Sequence, residues 1–579
     1  MKPIDYIVIA IYFIGLVAVS LIMSRKIKSS EDMFIAGRNS SWWLSGLSTY
    51  MTLFSAGTFV IWGGVAYRSG LVAAVVGMTV GLSSFLAGKY LAGRWREMRI
   101  KSPGEFLVVR FGGHTIDFYT IAGIVGRGVH TAVALYAIAV VVSALVELPG
   151  GGFLADSTGH LSVSWAVTFL GIICLFYTVT GGFLAVLMTD MIQFGVLLTM
   201  VVFMIPLSVN EVGGMSNFVN LAPEGFFDLF SNEYTMLWMV LWFFLNAFMI
   251  GGDWPFVQRY LSIPTKRDAR RSNYLVGALY LATPIIWYLP AMCFRILEPN
   301  ANPEQAYVFM SQRVLMNGML GVMLAAMVSA TLSTVSGTLN VFANVFTYDI
   351  YCTRRSDTPE PKRIRIGRVF TFVYGLTILV MALLIPYAGG AEKVVVTILT
   401  LVISPLYIPC VWAVFSRRIT GRQVMLCMAV TYALGFTMKA VLSGKVSSTL
   451  LESSIGLLLP CLLLGAFEVY DRLRGKTDCG YDRIQALIEP EENMTPTEED
   501  RQSARSISYV AINCFVATLT SIAILLTVLL MSDDYESYTT SVMTGGAALM
   551  YIISLLYFGA RYFRSKSKKT MSGGALADS

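Results

Sequence analysis

Ala330-Thr331-Leu332-Ser333-Thr334-Val335-Ser336-Gly337 is a hydroxyl-rich patch inside an otherwise apolar run from 314 to 350. Ala330, Ser333 and Thr334 stand at i, i+3 and i+4, so on a helix one face presents a backbone carbonyl and two hydroxyls together. A hard monovalent cation stripped of water needs several oxygen ligands, and neutral hydroxyls and carbonyls supply them without trapping it by full charge. The patch therefore has the outline of a sodium site within a membrane helix. The plainer alternative is that such hydroxyls bond back to the carbonyl four residues earlier or join helices. The rest of the chain favours the ion.

The 579 residues are 55% hydrophobic and 14% charged, with a mean hydropathy of +0.65. That is too apolar for a soluble protein and too rich in long apolar runs for a barrel, so the chain reads as an all-α polytopic membrane protein. Runs near the ~20 residues a bilayer demands lie at 5–24, 43–67, 71–93, 115–147, 162–180, 187–208, 236–262, 272–296, 314–350, 366–386, 391–415, 423–443, 452–470, 508–532 and 540–560, about fifteen spans. The first starts behind a single Lys without an A-x-A cleavage signal and is expected to be a retained helix.

Alternate loops carry the bases: Arg25 to Lys28, Arg94 to Lys101, Lys266 to Arg271, Arg354 to Arg368, and Arg417 with Arg418. Those loops are expected in the cytoplasm of a cell membrane, with the N-terminus outside and the C-terminal tail inside. The net charge of +7 is then topological, spread over loops and not gathered on one face for nucleic acid. Six of eight cysteines lie within or at the ends of apolar runs, which leaves no extracellular disulfide framework. His114, His130 and His160 are too scattered for a triad or a zinc site, and intramembrane carboxylates are few, so no enzyme is expected. The acidic stretch from Asp471 to Ser506 is too polar and short for a catalytic domain and reads as a linker.

Several motifs, in order over roughly residues 1–420, carry a resemblance: Glu31 to Arg38, Ser55 to Phe59 through Tyr67, Tyr177 to Gly182, Thr189 to Gln193, Gln258 to Leu261, and Ala325 to Tyr351. The chain is identified by them as a member of the sodium/solute symporter family, which includes sodium/glucose, proline, iodide and sialic acid transporters. The resemblance implies a LeuT-like core of two inverted five-helix repeats, with one extra N-terminal and about four extra C-terminal helices. The expected layout is an extra helix and loop at 1–42, repeats at 43–208 and 236–415 separated by an extracellular loop at 209–235, accessory helices at 416–470, the linker at 471–507, and two helices with a tail at 508–579. The first helix of each repeat should be broken at mid-membrane. Ser55-Ala56-Gly57 and Gly251-Gly252 lie where those breaks belong, although a Gly pair also serves close packing.

Carried over residue by residue, the resemblance implies a sodium held by the carbonyls of Met51, Phe54 and Ala330 and the hydroxyls of Ser333 and Thr334. Asp190 with Ser333 and Ser336 matches part of a second sodium site in the sialic acid branch, whose third serine is Gly337 here; the other readings of Asp190 are a role in ion exit or coupling, or a carboxylate solvated near the cytoplasmic end of its helix. The solute is expected against Ser55, Thr58, Arg127, Asn246, Tyr280 and Thr397. The sugar branch's gripping residues are replaced by Gly77, Thr58 and Tyr280, and the proline branch's acidic residue by Leu53. Gly126-Arg127 matches the pair that holds a carboxylate in the sialic acid branch, so an acidic sugar leads and a neutral sugar or polyol follows. Arg127 has another reading, as a snorkelling group or an internal partner of Asp253. The implied activity is sodium-coupled symport of a small polar solute by a monomer in a lipid bilayer, with a membrane solute sensor as the rival class.

Overall fold

The computed structural model describes residues 1–579 except 26, 28, 149–151, 158, 356, 389–397, 443–447, 489–497, 533–535 and 575–579. Among the described residues the only β pairing is two isolated bridges, Glu147 with His160 and Ala155 with Leu161. Everything else regular is helical. Among the described residues twelve helices are long and apolar enough to cross a bilayer, and two bent helix pairs raise the number to 14. The fifteenth expected run is Val163–Phe176, a shorter apolar helix. It continues toward the next span through Gly182, whose φ of 60° departs from helical geometry.

Helix α1 is Pro3–Ser24. Trp42–Leu53 (α2) and Thr58–Ser69 (α3) form the first bent pair, at 61°. Gly113–Leu145 is α4 and Gly182–Glu211 is α5. Met236–Gly252 (α6) and Trp254–Leu261 (α7) form the second bent pair, at 48°. Lys266–Leu297 is α8 and Met319–Cys352 is α9. An apolar window of α9 is 94% buried, against 17% for α1, so α9 runs through the protein core while α1 lies at its edge. A helix so enclosed has no lipid-facing side, and its hydroxyls must be matched by protein groups or by what the protein binds.

Both breaks fall beside the residues picked out in the sequence. In the first, Phe54 takes extended backbone (φ −94°, ψ 129°). In the second, Gly251 and Gly252 stay helical and Asp253 breaks the helix (φ −78°, ψ 135°). Pro255 follows in the first turn of α7, where its missing N–H costs nothing. The two glycines serve packing instead: an added Cβ would stand 2.2 Å from Leu91 at Gly251 and 2.3 Å from Val411 at Gly252.

The acidic linker is partly structured. Cys479–Leu487 is a helix. Its leading residue Asp478 ion-pairs with Arg110, whose side chain is fully buried. Arg110 Nη2 also donates to the carbonyls of Ser416 and Ile419, both at 3.0 Å. A further stretch of the linker is helical too, because the helix Glu498–Ser532 already begins there.

Candidate functional site

A broken helix frees backbone groups that something else must satisfy. At the first break the donors are met within the protein. Ala56 N–H donates to Thr331 Oγ1 of α9 at 2.9 Å, and Gly57 N–H to Ser55 Oγ at 3.2 Å. The acceptors are not. The carbonyls of Thr52, Phe54 and Ala330 converge on one hydroxyl, Thr334 Oγ1, at 3.4, 3.3 and 3.4 Å. A hydroxyl has a single proton, so it serves one of the three at a time; Ala330, inside the unbroken helix α9, also has its helical N–H, and the carbonyls left short are those of Thr52 and Phe54. The surplus of buried oxygen acceptors over donors is the condition a bound cation relieves. Met51 lies fully buried in the same turn, but Thr52 and Phe54 supply the carbonyls that meet Thr334. The second break contrasts with this: Trp95 Nε1 donates to Gly251 O at 2.7 Å and the Tyr260 hydroxyl to Ile250 O at 2.6 Å.

One turn around α9 lies a charged cluster. Asp190 on α5 is 1% exposed, so solvent does not stabilise it. It accepts a hydrogen bond from Ser48 Oγ and faces Arg259 Nη2 of α7 at 3.7 Å. Arg259 Nε in turn donates to Ser48 Oγ at 2.9 Å. Ser333 is beside the carboxylate, its Oγ buried without a well-formed hydrogen bond. Ser336 does not join the cluster; its hydroxyl donates to Ser333 O at 3.1 Å, the back-bonding expected of a serine in a helix. At Gly337 an added Cβ would stand 3.4 Å from Arg259 Nη2, so the guanidinium occupies the place a serine side chain would share.

Between the breaks is a cavity of about 160 Å³. Ser55, Thr58, Arg127, Asn246 and Tyr280 line it, and Thr334 opens onto it from the oxygen cluster. Thr397 lies outside the described residues. Asn246 Nδ2 is committed to Trp242 O at 2.8 Å, which leaves its carbonyl for a ligand. Tyr50 and Tyr280 pack with ring centroids 4.9 Å apart at one wall. Arg127 is held from within: Nε donates to Asp253 Oδ1 at 3.2 Å and Nη2 meets Asp253 Oδ2. The side chains are 6% and 8% exposed. The pair ties α4 to the second break, because Asp253 is the residue that leaves the helix there.

Among the further residues that line the cavity, His130, Tyr288 and Tyr407 carry polar groups that the sequence did not mark as part of a site. His130 stands three residues from Arg127 on α4, a spacing that places both on one helix face, and its Nδ1 is buried without a partner. That spacing was the available signal. Arg259 belongs to the motif Gln258 to Leu261, but only the fold brings it to Asp190.

Two broken helices, a cavity between them and an oxygen cluster at one break define a multi-pass membrane carrier. Residues 33–430 match the Sodium:solute symporter family, and the chain belongs to it; sodium is the coupling ion of that family. The chain is 26% identical over 430 residues to the sodium/glucose cotransporter of Vibrio parahaemolyticus, covering 67% of this chain and 75% of that protein. It is 26% identical over 439 residues to the sodium/myo-inositol cotransporter 2 of Oryctolagus cuniculus (68% and 62%). It is 23% identical over 402 residues to the sodium/sialic acid symporter NanT of Aliivibrio fischeri (64% and 74%). The alignment thus spans less than two thirds of the rabbit cotransporter. A solved outward-open, substrate-bound Na+-coupled sialic acid symporter superposes with a TM-score of 0.66 at 19% identity, over 82% of this chain and 98% of that one, which shows the shared fold.

Proposed function

We propose that this protein carries out sodium-coupled symport of a small neutral polyhydroxylated solute, such as a monosaccharide or cyclic polyol, by alternating access. The observation that carries the solute class is the Arg127–Asp253 pair. It gives the guanidinium a carboxylate within the protein, so among the described lining residues a solute meets hydroxyls, amides and aromatic rings and no unmatched charge. Such a lining hydrogen-bonds hydroxyls and stacks on apolar sugar faces, whereas a carboxylated solute would have to displace Asp253. The glucose and myo-inositol relatives agree with this reading.

Sodium acts at the first break. It bridges the carbonyls of α2 to Ala330 and Thr334 of α9, and so favours the arrangement in which the two helices approach. Met51 and Ser333 are the remaining candidate ligands. Arg259 supplies a positive charge to the Asp190 cluster, and on that ground the reading takes one sodium per cycle. The two repeats, 43–208 and 236–415, would move against each other around this site, with the N-terminus outside, the C-terminus in the cytoplasm and the monomer as the working unit.

A carboxylated sugar such as sialic acid is the second reading, because Arg127 still lines the cavity. Uptake of labelled glucose, myo-inositol and sialic acid into proteoliposomes under a sodium gradient separates the two. Sodium-driven accumulation of a neutral solute, uninhibited by sialic acid, supports the first. Accumulation of sialic acid alone supports the second, and binding without accumulation points to a sensor.

A further inference from the structure

We infer that α1, the extra helix at the edge of the fold, braces the sodium-binding helix α9, and that Asp5 and Tyr12 are positioning residues for the sodium site. The inference rests on the assignment of that site to α2 and α9. Helix α1 turns most of its surface outward, and its buried residues are Asp5, Leu16, Ser20 and Met23. A carboxylate at 1% exposure at the start of an apolar span is costly unless it is paired. Asp5 Oδ1 accepts the N–H of Gly318 at 2.7 Å and of Gly321 at 2.8 Å, while Oδ2 accepts Lys2 N–H at 2.9 Å.

Gly318 is the N-cap of α9 and has no side chain with which to cap it. Asp5 therefore caps that helix from another one. It satisfies two orphan donors and places negative charge at the positive end of the helix dipole. Gly321 permits the approach, since an added Cβ there would stand 2.6 Å from Asp5 O.

A second contact lies two turns further on. The Tyr12 hydroxyl bonds Ser329 Oγ. Ser329 spends its own proton on Ala325 O at 2.5 Å, so Tyr12 is the donor. Ser329 directly precedes Ala330, whose carbonyl belongs to the oxygen cluster. Two contacts on one face of α1 thus fix both the end and the azimuth of α9 just above its ion ligands. All of α1 lies outside the segment 33–430 that matches the family.

The test uses Tyr12→Phe, Asp5→Asn and Asp5→Ala in the full chain, with Thr334→Ala as comparator, reading the sodium concentration for half-maximal uptake and, separately, solute KM at saturating sodium. Tyr12→Phe should raise half-saturation by about three- to tenfold, the worth of one hydrogen bond, with KM at saturating sodium unchanged. Asp5→Asn keeps an acceptor oxygen and should lie between wild type and Asp5→Ala. A purely structural helix would instead lower the amount of active protein at unchanged half-saturation, and that result overturns the brace. If Thr334→Ala shifts half-saturation and Tyr12→Phe does not, the brace fails while the site stands. If neither does, the site assignment fails and the brace with it.

Discussion

Removing one member of the Arg127–Asp253 pair strands a charge in a place that water barely reaches. At 3.2 Å between Nε and Oδ1 and an effective dielectric of about 20, a unit-charge attraction is on the order of 5 kcal/mol. Mutational experience with buried pairs puts the loss on breaking one at about 3–5 kcal/mol, and the loss on replacing both partners near zero. Arg127→Ala and Asp253→Ala should therefore each destabilise strongly, and the double variant should regain most of the loss. The assay is a double-mutant cycle on denaturation midpoints in detergent, with sodium and solute absent so that ligand linkage does not enter. Coupling of about 2 kcal/mol or more supports an internal pair and a neutral solute. If the two effects simply add, and Asp253→Ala tightens binding of sialic acid, then Arg127 serves a substrate carboxylate and the neutral-solute reasoning is refuted.

Thr334→Ala removes the one hydroxyl at the convergence of three carbonyls, and should raise the sodium concentration for half-maximal uptake by about two- to tenfold with normal amounts in the membrane; unchanged sodium dependence in titrated uptake would remove the site from α2 and α9. Asp190→Asn leaves Arg259 buried and unpaired and should abolish most uptake, with part of it returning in Asp190→Asn/Arg259→Gln at a sodium Hill slope of one; a wild-type slope above one that falls to one in Asp190→Asn would mean that the carboxylate binds a second ion. Arg110→Ala strips Asp478 and the carbonyls of Ser416 and Ile419 of their donor, so amide exchange should quicken across 479–487, and slow exchange there in the variant would show that the helix docks by other contacts.

The membrane class, the number of apolar runs and the hydroxyl-rich stretch of α9 were legible because hydropathy and helical spacing are local properties of the chain. Ser333 and Thr334 declare themselves as oxygens with nothing nearby to need them. Partnerships were legible only as alternatives, as with Asp253 for Arg127, or not at all. Arg127 and Asp253 are separated by 126 positions, and composition offers no means of choosing between a solute and a distant carboxylate. Asp190 and Arg259 show the same limit: each was visible in a motif, but whether the carboxylate needs a second cation depends on whether a guanidinium reaches it. The break at Asp253 was displaced by one residue from the glycines, because glycine at a crossing relieves crowding as readily as it relieves backbone strain.

The two breaks look alike in sequence and differ in how they are settled. At the second, Trp95 and Tyr260 hydrogen-bond the freed carbonyls, and the residue that leaves the helix is an acid tied to α4. Its polar groups are matched by the protein itself, which suits an element that shapes the cavity. At the first, acceptors are supplied to the N–H groups while the freed carbonyls of Thr52 and Phe54 share one hydroxyl proton with Ala330 of α9. An internal donor there would have closed the account permanently and left nothing for an ion to change. In the proposed reading, leaving the acceptors short makes the contact between α2 and α9 conditional on a cation, and conditional contact between a broken helix and a fixed one would serve coupling. Adding a donor at that point, as Ala330→Lys would do if its ammonium reaches the carbonyls, should mimic the ion: solute binding should lose its sodium dependence while coupled transport stops.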